Sequence, residues 1–171
     1  MPEKKKPEET SEYHNTFLLL CKYRDVVWSL EVSAQKLKNR FKLEMGSSIE
    51  DFLESVYLAG INFAESGLTE YTKSIELSYK MLKLLESAVE VLRNKHKNGE
   101  TYYWILYYSF LSPQQYRNAE EIIEQLEPYI TDISRRTYYR KRKEAVNALS
   151  SVLWGYSSRD SVEILKSFFS C

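Results

Sequence analysis

No apolar run in this chain of 171 residues approaches the roughly 18 residues of a membrane span, so no transmembrane helix and no membrane partner are expected. Cysteine is scarce as well. Cys21 and Cys171 are the two present, too few for the disulfide framework of a small secreted domain, and a reducing, cytoplasmic setting is the expectation. The opening Met-Pro-Glu-Lys-Lys-Lys leads into no apolar stretch, so it does not read as a secretory leader. Histidine is limited to His14 and His96, which removes any Glu-x-x-His di-metal arrangement. A glycine-rich phosphate loop, a zinc-type cysteine pair and a Ser/His or Cys/His pair at workable spacing are all missing, so neither an enzyme nor a cofactor is expected. Net charge is zero, and the whole-chain balance points to no polyanionic partner. A balanced total can still conceal a local stripe of one sign, and the stripe is what a polyanion feels.

What is present is helical. Glycine (5) and proline (4) are few, 43% of residues are apolar and 28% are charged, and Leu, Glu, Lys and Ala fill the stretches between breaks. An all-α protein follows, in three parts: a disordered tail (1–11), an N-terminal bundle of long helices (12–97) and a C-terminal helix-turn-helix domain (98–171). From Glu12, the residues Tyr13, Phe17, Leu20, Cys21, Val27, Leu30, Ala34, Leu37 and Phe41 form a helical stripe that ends near Gly46. Ser48 with Asp51 resembles a capping box and opens a shorter helix through about Leu58. A third helix runs from about Thr69 to Lys97 on the stripe Tyr71, Ile75, Ser78, Leu82, Leu85, Val89 and Leu92. Asn98-Gly99 reads as its left-handed stop.

Six of the nine residues from Tyr102 to Phe110 are aromatic. A helix apolar on all sides is expected to be buried on all sides, as the central post of the second domain, although aromatic clusters also stack single-stranded bases. Ser112-Pro113-x-Gln115 marks a new helix start. Asn118 with Glu121 marks another, for a segment carrying Glu120, Glu121, Glu124 and Glu127 that stops at Pro128; this acidic run reads as a solvated face. Ser134 opens the next helix and Gly155 follows its end. A last short helix covers about Asp160 to Phe169.

The helix 135–154 carries the chemistry. Six of the nine residues from Arg135 to Lys143 are basic. At 100° per residue, Ala145, Leu149 and Val152 fall within about 40° of Tyr138 and form an apolar back. The front carries Arg136, Arg140, Lys143 and Asn147, flanked by Thr137 and Tyr139, while Arg135, Lys141 and Arg142 lie towards the sides. Fork-shaped cationic donors on the front suit the acceptors on base edges in a major groove, and those on the sides suit phosphates. A solvated face normally mixes signs to gain pairs at four-residue spacing, and residues 135–143 hold no acid. An acidic protein surface is the alternative partner.

The run Tyr102-Tyr103-Trp104-Ile105-Leu106-Tyr107-Tyr108, then Ile122-Ile123-Glu124-Gln125-Leu126, then Ile133-Ser134-x-x-Thr137-Tyr138-Tyr139-Arg140 and Ala145-x-x-x-Leu149 resembles the C-terminal half of ArpU-type phage transcriptional regulators. These are themselves similar to the helix-turn-helix of sigma-factor region four. The resemblance covers roughly residues 99 to 156. It implies a regulator encoded by a phage or integrated mobile element and acting on late or element-borne genes; with the basic helix 135–154, a sequence-specific reader of double-stranded DNA is the expectation. One departure is the connection from Leu126 to Ser134, about seven residues with Pro128 inside, longer than the usual tight turn. Residues 12–97 are then left for homodimerisation or for contact with RNA polymerase. The reading from a different class is a helical interaction factor of mobile-element origin, an inhibitor or adaptor, that keeps the helix-turn-helix fold for another partner.

Overall fold

The computed structural model describes residues 11–46, 48, 51, 68–155 and 159–169. The chain is all-α, with no strand among the described residues. Two long helices come first, α1 (Ser11–Met45) and α2 (Leu68–Lys95). Helix α3 (Gly99–Leu106) runs on into a π-helical turn, Tyr107–Leu111. Then come α4 (Ala119–Leu126), α5 (Arg135–Ser150) with a second π-helical turn at Ser151–Gly155, and α6 (Arg159–Phe169).

The first helix ends where its sequence says it should. Gly46 adopts φ +72° and its N–H reaches the Lys42 carbonyl at 3.0 Å, the left-handed cap that glycine supplies without steric penalty. Of the expected tail, residues 1–10 lie outside the described residues, and Ser11 already belongs to α1. The helix expected from Ser48 to Leu58 also lies outside them, apart from its cap: the Asp51 N–H donates to Ser48 Oγ at 3.1 Å.

Asn98-Gly99 is not a left-handed stop. Helix α2 ends at Lys95, and Gly99, without a positive φ, is the first residue of α3. Its backbone presses against the end of α2, so that a Cβ there would fall on the carbonyl oxygens of Leu92 and Arg93. Glycine is required at this corner for close approach rather than for handedness.

The helical stripes bury as their spacing predicts, but unevenly. In α2, Met81, Leu82, Leu85, Ala88, Val89 and Leu92 are all buried. In α1, Tyr13, Thr16, Leu19 and Leu20 are buried, and no described residue of that helix beyond Leu20 is. Cys21, assigned to the stripe, is exposed. The buried residues do not divide at residue 97. Leu19, Leu20, Met81, Leu85, Leu92, Leu106, Phe110, Ala145, Val146, Leu149, Leu153 and Leu165 form one continuous cluster. Thr16 joins its ends: the hydroxyl donates to the Glu12 carbonyl at 2.8 Å and accepts from Trp154 Nε1 at 3.1 Å.

Helix α3 stands as a post between this core and a smaller one made of Ile105, Ala119, Leu126, Ile133 and Tyr138. Together with the π-helical turn that continues it, the post is not buried on every side. Tyr102, Ile105, Leu106 and Phe110 are buried, whereas Tyr103, Trp104, Tyr107 and Tyr108 are half-buried.

No helix begins at Ser112. Residues 112–118 are bends and irregular chain, and Ser112, at ψ 144°, has the extended backbone that a following proline favours. A long-range contact holds the segment there. Arg24 of α1 donates Nε to the Ser112 carbonyl at 2.7 Å, and its other nitrogens to the Ser109 carbonyl at 3.5 Å and the Gln114 carbonyl at 3.4 Å. Burial lowers the Arg24 pKa from its ordinary value, with the Tyr116 phenol opposing that shift. Arg24→Ala is expected to lose about 1–2 kcal/mol, since hydrogen bonds to a charged donor are worth more than neutral ones. Arg24→Lys should recover only part of it, because an ammonium lacks the planar fork that spans several carbonyls. Urea unfolding midpoints measure both, and an unchanged midpoint for Arg24→Ala would show the clamp to be idle.

Candidate nucleic-acid interface

Two capped helices and the chain between them form the module. Asn118 begins α4, its side chain accepting from the Glu121 N–H at 3.0 Å, and Glu121 Oε2 accepts from the Arg117 N–H at 2.9 Å. The caps satisfy backbone donors that have no partner within the helix. After Leu126 the chain turns at once, with the Tyr129 and Ile130 N–H groups donating to the Leu126 carbonyl at 2.9 and 2.8 Å. Tyr129 stacks on Trp104 with ring centroids 3.7 Å apart, which pins the longer-than-usual connection to the post helix. Asp132 takes φ 55°, a conformation that aspartate tolerates better than most residues. Ile133 then plugs the smaller core. Ser134 caps α5: its Oγ accepts from the Thr137 N–H at 3.1 Å and donates to Thr137 Oγ1 at 2.9 Å.

On α5 the two faces separate as the periodicity requires. Tyr138, 1% exposed, lies against the smaller core, with its hydroxyl 2.8 Å from Ser109 Oγ. Ala145 and Leu149 are fully buried, and Val152, in the turn that follows, is half-buried. On the opposite side Arg136, Arg140, Lys143 and Asn147 are all exposed, Tyr139 is 41% exposed and Thr137 is half-buried. The structure therefore brings the six residues assigned to base contact onto one side of the helix or its margins.

The three residues assigned to the flanks differ among themselves. Arg135 is exposed and pairs with Glu120 of α4 at 3.3 Å. Lys141 is half-buried. Arg142 turns towards α1, its guanidinium carbon 4.9 Å from the Tyr139 ring centroid, 5.7 Å from that of Tyr138, and 5.9 Å from those of Phe17 and Phe110. A cation among ring faces is held by their quadrupoles, and Arg142 thus links α5 to α1. Lys143 has its ammonium 5.9 Å from the Tyr13 ring. Of the four glutamates around α4, Glu120 and Glu121 are engaged as described, and Glu124 and Glu127 are exposed.

The sequence pattern missed Glu144. The acid-free run ends at Lys143, and the next residue accepts Arg140 Nη1 on Oε1 at 2.9 Å and the Tyr102 hydroxyl on Oε2 at 3.3 Å. The four-residue spacing from Arg140 was the available signal. Among the described residues no cluster of three or more metal-binding side chains occurs, and no helix is long and apolar enough to cross a membrane. No family model, curated protein or solved structure matches this chain.

Proposed function

We propose that the protein is a sequence-specific, double-stranded DNA-binding transcriptional regulator of phage or mobile-element origin. It works in the cytoplasm and reads the major groove with α5. One observation carries the reading: Arg136, Arg140, Lys143 and Asn147 are exposed together on the side of α5 opposite the buried Tyr138. A helix so presented, preceded by a capped helix and a pinned turn, has the form of a recognition helix. Arginine forks match the N7 and O6 acceptors of guanine, and asparagine matches adenine. Trp28 of α1, a large apolar side chain 68% exposed, supports the assignment of residues 12–97 to a second copy of the chain or to RNA polymerase.

The test is the salt dependence of binding to duplex DNA. Side-chain cations displace counterions from phosphates, so affinity must fall as salt rises. With about four to six phosphate contacts per copy, a log-log slope of roughly −4 to −5 is expected in fluorescence anisotropy titrations. A flat response, or no binding at low salt, removes the nucleic-acid reading.

A further inference from the structure

We infer that Glu144 is a positioning residue for base selection, one that holds the Arg140 guanidinium at a fixed bearing on the outward face of α5. The inference rests on the DNA-binding reading above. Arg140 is long and exposed, and on its own it would sample many rotamers, so ordering it at a base edge would offset part of the contact. Glu144 removes much of that freedom before DNA arrives. It takes Nη1 of the fork, at 2.9 Å on Oε1, and leaves donors of the same planar group for the paired acceptors of a guanine edge.

The carboxylate is itself held. Its other oxygen accepts the Tyr102 hydroxyl at 3.3 Å, and Tyr102 is 5% exposed, in α3, with its ring 5.0 Å from that of His96. The line Tyr102, Glu144, Arg140 therefore runs from the packed post to the reading face. An exposed ion pair at this spacing contributes little to folding, so stability does not explain the arrangement. A carboxylate beside a polyanion opposes binding in general, so its gain lies in discrimination: a fixed fork is penalised at a wrong base more heavily than a mobile one that can turn aside.

The full-length chain, with Glu144→Gln and Tyr102→Phe, tests this. Binding is measured to the parent's selected duplex, to the same duplex with single base pairs changed, and to an unrelated duplex, with unfolding midpoints taken alongside. For Glu144→Gln, binding to the unrelated duplex should strengthen and its salt slope steepen by about one. Discrimination at one base pair should fall by roughly tenfold. Tyr102→Phe keeps the ring and the charge, so it should lose a smaller part of that discrimination with the salt slope unchanged. Discrimination equal to the parent's in Glu144→Gln overturns the inference. So does a uniform weakening on every duplex with a lowered midpoint, which a merely structural role would produce. A parent that binds no duplex removes the DNA reading and this inference with it, and is told apart by the parent's own titration.

Discussion

Tyr138→Ala is expected to destabilise the protein by about 3–5 kcal/mol, the range for truncating a large, fully buried aromatic side chain. The ring is 1% exposed, sits with Ile105, Leu126 and Ile133, and has its hydroxyl tied to Ser109. Its removal leaves a cavity at the point where α3, the turn and α5 meet, and strands the Ser109 partner. Tyr138→Phe keeps the ring and should lose only about 0.5–1.5 kcal/mol, the usual net worth of one hydrogen bond. Denaturant unfolding measures both. DNA binding by Tyr138→Ala should fail only in proportion to the unfolded fraction, and a variant with the parent's midpoint would mean that the back of α5 has been misassigned.

Removing the front instead should spare the fold and abolish recognition. In the triple variant Arg136→Ala, Arg140→Ala and Lys143→Ala, three exposed side chains are replaced by the best helix former, so the unfolding midpoint should stay within about 1 kcal/mol of the parent. An arginine reading a base edge contributes about 1–3 kcal/mol to binding, and a cation on phosphate adds a sequence-independent share. Neighbours on one face do not add strictly, and a loss of about a thousandfold on the best duplex is the expected result. The contrast between the two variants separates scaffold from surface.

The features that could be read from the sequence are those whose cause is local. Asn118 and Ser134 each bond a backbone N–H three residues on, and such caps carry their signature in the residue types themselves. Gly46 ends α1 by the handedness of its own backbone. The two faces of α5 followed from the helical period alone. The misses have distant causes. Arg24 holds carbonyls 85 to 90 residues away, and nothing in Ser112-Pro113 discloses that a helix start will be overruled by it. Gly99 is required by the carbonyls of Leu92 and Arg93, a closeness that spacing does not reveal. Arg142 carries the same charge as its neighbours, but it is drawn off the flank by rings of α1 and of the π-helical turn after α3 as well as its own helix. The expected boundary near residue 97 assumed that a change in texture is a break in packing, and the core runs across it.

Whether the outward face of α5 reads base sequence is tested directly by selection from a pool of random duplexes. The parent and the Arg136, Arg140, Lys143 triple-alanine variant would be carried through identical rounds, each checked first for a native unfolding midpoint. The parent should enrich one motif, arranged as an inverted repeat if two copies act together, and the triple variant should enrich none. A parent pool that remains as diverse as the input would contradict that role for α5, and so would recovery of the same motif by the variant.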